Sequence, residues 1–81
     1  MLTLTSADSA KEFTMKGKHP IAFQANGGTL QIKMKVDDGV FVNMGDLITT
    51  DYTNVGDFGN AILKFEITGA GKMAYYGGFY A

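Results

Sequence analysis

The clearest pattern along the chain is an alternation of apolar and polar side chains. Over residues 29–36 every second residue is apolar, and Lys33 and Lys35 are in the polar set. A period of two places the two sets on opposite faces of a β-strand. The turn Asp37-Asp38-Gly39 follows, and residues 40–44 continue as the partner strand. We expect this hairpin, residues 28–44, to act as scaffold, because its lysine face suits solvent.

The same alternation predicts further strands and an all-β fold. It recurs over residues 61–68 and leads through a Gly-Ala-Gly turn into a last strand, residues 72–80; weaker strands are predicted at 12–16, 21–25 and 47–52. Most of the eleven glycines occur in pairs or beside Asp or Asn, at the spacing of turns in a sandwich or barrel. We therefore predict one domain over residues 1–81, a small antiparallel β-sandwich or barrel of about seven strands.

The two chain ends are the predicted contact regions. Leu2 and Leu4 alternate with threonines, which suits an edge strand or an extended N-terminal arm over residues 1–10 that adds a strand to a neighbour. Ser9 and Glu12 have the spacing of a capping box at the start of a helix. No apolar helical stripe follows them, so we predict a turn there. The last strand carries aromatic residues on both faces, and one face needs a partner to cover it. The predicted contact residues are Leu2, Leu4, Tyr76, Phe79 and Tyr80.

Composition narrows the class of protein. The chain has 81 residues and no cysteine, so its core is thin and oligomerisation is the expected way to strengthen it. Seven lysines, eight acidic residues and no arginine argue against a nucleic-acid partner. The chain has no apolar run of membrane-spanning length and no signal-peptide pattern at its start. We expect a protein of the cytoplasm, or of a particle assembled there.

Candidate chemistry is sparse. His19 lies between Lys18 and Pro20 and is predicted to be an exposed loop residue without a catalytic partner. The spacing of Asp51, Asn54 and Asp57 matches a calcium loop only weakly. We therefore expect no enzyme activity, no metal and no cofactor. An alternative is a sugar-binding platform, which would combine aromatic with polar side chains: Phe41, Tyr52 and Phe58 with Gln24, Asn26 and Gln31.

A longer order of motifs carries a family resemblance. Between residues 26 and 76 the chain has a Gly-Gly-Thr-Leu-Gln strand, an acidic-glycine turn, an aromatic residue, a threonine-rich strand, a glycine-aromatic turn and a late Ile-Thr-Gly-Ala turn. These are residues 27–31, 37–39, 41, 48–50, 56–59 and 67–70. In this order the chain resembles small β-sandwich virion proteins of tailed bacteriophages. It departs from them in having Phe41 where they have tryptophan, and in lacking the arginine that often precedes the Thr-Gly-Ala turn.

The resemblance implies a structural role. Proteins of this kind are capsid decoration or cement proteins, or small components of tails and fibres. It implies a virion protein on the capsid surface that binds the major capsid protein or another virion protein, as a homo-oligomer with a trimer favoured. Such a protein stabilises the head by bridging capsid subunits, with contacts repeated over the shell. The alternative is a carbohydrate- or receptor-binding module of a tail or head fibre.

Overall fold

The computed structural model describes residues 2–75, the side chain of Leu2 excepted. In that range one antiparallel sheet contains β1 (Leu2–Leu4), β2 (Phe13–Gln24), β3 (Leu30–Asp37), β4 (Val40–Asn43), β5 (Tyr52–Ile67) and β6 (Lys72–Tyr75), in the order β1-β6-β2-β5-β3-β4. A single 3-10 turn, Ser6–Asp8, separates β1 from β2. The predicted all-β antiparallel fold is confirmed, with six described strands instead of about seven.

The two long strands, β2 and β5, hold the sheet together because each pairs with the other and also with one further strand. Residues 52–63 of β5 pair with β2, and residues 63–67 pair with β3. On its other side β2 pairs with β6 only over residues 21–24. The predicted strands 12–16 and 21–25 are therefore one continuous strand. The predicted strand 47–52 is reduced to one β-bridge, Leu30 with Ile48.

A β-bulge bends β2 and β5 at the same level. Lys16 lies opposite Asn60 and Lys18 opposite Asp57, so Phe58 and Gly59 of β5 face the single residue Gly17. Gly17 and Gly59 both have positive φ, at 73° and 60°, a backbone region that glycine enters without a steric cost. A bulge of this kind bends its strand and increases its twist.

The bulge also explains the burial pattern of β5. Leu63, Phe65 and Ile67 are buried, as their alternation predicts. On the other side of the extra residue the inward positions become even-numbered, and Phe58 is buried there at 8% exposure. Without the extra residue Phe58 would point to the opposite face of the sheet.

One hydrophobic core lies between the two halves of the bent sheet. The buried residues from the β1–β6–β2 half include Leu4, Ile21, Phe23 and Met73, and those from the β5–β3 half include Leu30, Ile32, Phe65 and Ile67. The halves meet at Gly71, where a Cβ atom would come within 2.9 Å of the Phe23 ring and 3.0 Å of Ile67. A residue without a side chain is therefore needed at this contact.

Candidate functional site

The N-terminal segment belongs to the chain's own fold, which corrects the prediction of an extended arm. Leu4 lies opposite Met73 of β6 and is only 2% exposed, so it packs in the core and is not at a contact surface. The Ser9 hydroxyl donates to the carbonyl of Ile67 and accepts from its N–H, both at 3.0 Å. The sequence alone could not distinguish these two arrangements, because an edge strand and an extended arm show the same alternation of apolar and polar residues.

The remaining predicted contacts lie partly or wholly outside the described residues. The backbone of Leu2 pairs with Tyr75 in the sheet, and its side chain is outside the description. Tyr76, Phe79 and Tyr80 also lie outside the described residues. Of the five predicted contact residues, Leu4 is thus the one whose side chain the structure locates.

His19 lies inside strand β2 and not in an exposed loop as predicted. It is 8% exposed and its ring lies between those of Phe58 and Tyr75, with centroids 6.2 Å away in each case. The predicted strand 21–25 begins after Pro20, but β2 includes this proline, which is tolerated where a strand has a partner on one side only. At Pro20 the described partner of β2 is Val55 of β5.

The imidazole of His19 is within hydrogen-bonding distance of the backbone beside the bulge. Its Nε2 lies 2.9 Å from the carbonyl oxygen of Lys16, next to the residue where β2 bends. Its Nδ1 has no hydrogen-bond partner within the described part of the chain. No hydroxyl or carboxylate of residues 2–75 is hydrogen-bonded to the ring, so the geometry needed for a nucleophile and its base is not present there.

The predicted sugar platform is divided between two faces. Phe41 lies on the lysine face of the sheet, with the Lys64 amine 4.3 Å from its ring centroid. Tyr52 and Phe58 instead line one cleft together. Asn26 bonds the carbonyl of Ala70, away from that cleft. Two of the three aromatic residues therefore come together, and the third does not.

The Tyr52 cleft is a cavity of about 270 Å³ whose lining includes Ile21, Ile32, Met44, Tyr52, Asn54 and Phe58. The Asn54 amide donates to the Tyr52 hydroxyl over 2.8 Å. The floor of the cleft is apolar, because Ile21, Ile32 and Phe58 are core residues. The cleft lies beside the edge of β5, where residues 52–62 have no described strand partner on the β3 side.

A second surface consists of three valines of the β3–β4 hairpin, here named the valine strip: Val36, Val40 and Val42. They are 55%, 48% and 45% exposed. The strip is exposed because β3 pairs with β5 only as far as Met34, and the rest of the hairpin projects beyond the core. Alternation predicts which face is apolar but not where the core ends, so the sequence indicated a scaffold here.

A notch lies next to the valine strip, where β3 separates from β5. Its volume is about 460 Å³, and its lining includes Met34, Val36, Asn60 and Ile62. β4 is the outermost strand of the sheet on this side, so its outer edge has backbone groups without a described strand partner. Apolar side chains, a notch and a free strand edge therefore occur together at one end of the molecule.

Within residues 2–75, no three His, Asp or Glu side chains are grouped as metal ligands. None of the helical structure in that range has the length and apolar character that crossing a bilayer requires. Comparison of the chain with protein-family models, with curated proteins and with solved structures found no match.

Proposed function

We propose that this chain is a structural protein that works by binding another protein through the valine strip. The observation that carries the proposal is the exposure of three apolar side chains, each close to half, on a hairpin that projects beyond the core. Exposed apolar patches on small proteins mark contact sites. Val40 and Val42 lie on the edge strand β4, so a partner can cover the side chains and pair with the strand edge together.

The proposed setting is a virus particle. The order of glycine turns and alternating strands resembles small virion proteins of tailed phages, and the all-β fold is compatible with that class. In this setting the valine strip binds the major capsid protein, and a homo-oligomer, a trimer by preference, bridges neighbouring capsid subunits. Each contact is small, and the repetition of contacts over the shell provides the stabilisation.

The test is co-sedimentation of the purified protein with empty heads assembled from the major capsid protein of the same genome. The double variant Val40→Thr, Val42→Thr keeps the side-chain shape and β propensity while adding hydroxyls to the strip. We expect at least a tenfold loss of head binding for this variant. Leu47→Asn is the control, because Leu47 is 52% exposed but lies outside the valine strip, the notch and the Tyr52 cleft. Equal binding of the strip variant and the wild type would refute the proposed contact.

A second candidate function is a carbohydrate- or receptor-binding module of a tail or head fibre. The observation that favours it is Tyr52, 36% exposed, beside the Asn54 amide, since sugars bind to aromatic faces flanked by polar groups. A glycan array separates the two candidates. Selective binding that Tyr52→Ala abolishes supports the fibre module, and an array without binding supports the capsid role.

A further inference from the structure

β4 is an edge strand without the residues that usually protect an edge against strand addition. Soluble proteins protect such edges with lysine or proline or by covering them, and β4 (Val40–Asn43) contains neither residue type. In the open part of β5, by contrast, the Asn54 side chain accepts from the N–H of Val55 at 2.8 Å. Asp57 does the same for the N–H of Gly59 at 3.2 Å. The edge of β4 is thus left open to a further strand.

The hydrogen bonds of the β3–β4 hairpin show which backbone groups of β4 face outward. The N–H of Met44 donates to the carbonyl of Ile32 over 2.7 Å. In an antiparallel ladder every second residue exchanges hydrogen bonds with its partner strand, so the even-numbered residues of β4 bond to β3. Phe41 and Asn43 accordingly direct their N–H and C=O groups to the free side. These are the groups that an added strand pairs with.

The two faces of an added strand meet different side chains. On one face its side chains lie beside Val40 and Val42 of the valine strip, because directly opposite residues of paired strands share a face. On the other face it meets the ring of Phe41, which lies on the lysine face of the sheet. Apolar residues therefore suit the positions opposite the two valines, and the position opposite Phe41 has a different environment.

The charge beside Phe41 points to an acidic residue in the added strand. The Lys64 amine reaches across β3 to a position 4.3 Å from the centroid of the Phe41 ring. Two other lysines of this face are ion-paired with glutamates, but within residues 2–75 no carboxylate forms an ion pair with Lys64. Asp37 pairs with Val40 in the strand register, so it lies on the face of the valine strip. A carboxylate opposite Phe41 complements the Lys64 cation.

We propose that the β4 edge binds an extended segment of a partner protein as a further antiparallel strand. The segment has an acidic residue opposite Phe41, with apolar residues on both sides of it, opposite Val42 and Val40. The antiparallel direction follows the rest of the sheet and gives the more stable pairing per residue. The inference rests on the proposed function, because it names the kind of segment that the valine strip binds.

The charge pattern is tested by an NMR titration of the amides of residues 36–43 with the capped peptide N-acetyl-Thr-Val-Glu-Val-Thr-amide. We expect saturable shifts at millimolar peptide, and at least about fivefold weaker binding when lysine replaces the glutamate of the peptide, because like charges then meet at Lys64. The Lys64→Gln variant should lose this preference. Lys72→Gln on β6 makes the same change in net charge and should keep it. Unchanged signals of the core residue Met73 are the folding check.

N-methylation of the peptide tests the strand pairing itself. In the proposed register the N–H of the peptide's glutamate donates to the carbonyl of Phe41, and the N–H groups of its two valines point away from β4. A methyl group on the glutamate nitrogen should weaken binding at least about fivefold, since it removes a hydrogen bond. A methyl group on the nitrogen of the second valine is the matched control and should have little effect.

Four results would overturn the proposal. They are equal binding of the two methylated peptides, stronger binding of the peptide methylated at glutamate, equal binding of the glutamate and lysine peptides, and no saturable shift with any peptide. Because the titration contains no capsid, its failure is distinct from a failure of head binding.

Discussion

Leu63 is the residue of β5 that pairs with β2 on one side and with β3 on the other. It lies opposite Phe13 of β2 on one side and Met34 of β3 on the other, and it is fully buried. The alternation over residues 61–68 predicts that Leu63, Phe65 and Ile67 face inward, and all three do. The sequence predicts this correctly because a strand buried on one face has apolar residues at every second position. That pattern is visible without knowing which strand is its partner.

Leu63→Ala should destabilise the protein by about 3 kcal/mol, since it removes buried methyl groups and leaves a cavity. The measurement is the free energy of unfolding in urea. Val55→Ala on the same strand is the control, because Val55 is 49% exposed and its loss should cost under about 1 kcal/mol. Equal costs for the two variants would contradict the position of Leu63 in the core.

Asp51 stabilises the end of β2 through a hydrogen bond to the backbone. Its Oδ1 accepts from the N–H of Ala25 at 2.9 Å, and Ala25 is 6% exposed. Asp51→Ala leaves a buried donor without its partner and should cost about 1–2 kcal/mol of unfolding free energy. Asp51→Asn keeps an acceptor oxygen and should cost clearly less. If the two variants lose the same free energy of unfolding, the stabilisation would come from the charge of Asp51 and not from its hydrogen bond.

At the scale of single elements, the bulge between β2 and β5 decides the shape of the sheet. The sequence predicts a loop around His19 and a turn at residues 56–59, whereas the structure has Gly17 and Gly59 inside long strands. A positive φ is needed in a turn and in a bulge alike, so the glycines alone do not distinguish the two. The burial of His19 was not predicted, because the predicted strand begins at residue 21 and His19 lies before it.

Gly59→Ala isolates the backbone cost of the bulge. Gly59 has a φ of 60°, and a Cβ atom there would have no neighbour within 4 Å. The loss should therefore come from backbone strain alone, about 1–2 kcal/mol in the free energy of unfolding. Gly59→Asn should lose less, since asparagine tolerates this conformation better than alanine. An alanine variant as stable as the wild type would show that the bulge does not need this backbone conformation.

The 3-10 turn after β1 contains a pH-sensitive carboxylate. The Lys11 amine, 2.8 Å from Asp8, and the backbone N–H of Thr5 lower the pKa of the Asp8 carboxyl. A lowered pKa in the folded state means that this contribution to stability is complete above the ordinary aspartate pKa. It is lost as the pH falls through the lowered value.

An NMR titration of the Asp8 carboxyl checks this direction. The midpoint should lie below that of an aspartate in an unstructured peptide, and Lys11→Gln should raise it, because the largest cause is the hydrogen bond with Lys11. Lys11→Arg keeps a cationic donor and should leave the midpoint close to that of the wild type. A midpoint that does not move in Lys11→Gln would assign the lowering to the Thr5 backbone instead.

At the scale of the whole molecule, the fold class follows from the sequence and the contact surface does not. Apolar residues follow the period of a strand whether the face they form is covered by the chain itself or left open. Leu4 was predicted at the surface and lies in the core, whereas Val40 and Val42 were assigned to scaffold and are close to half exposed. Both differences arise because the place of each strand in the sheet order depends on pairings between distant residues.

The central claim is that the molecule binds its partner through the β3–β4 hairpin. Hydrogen–deuterium exchange of the protein on assembled heads, compared with the free protein, tests it most directly. The account predicts that amides in residues 36–43 exchange more slowly on the particle, while amides in residues 72–75 of β6, which is separated from the hairpin by β2 and β5, keep their free rates. Unchanged exchange over residues 36–43, with protection elsewhere on the molecule, would contradict it.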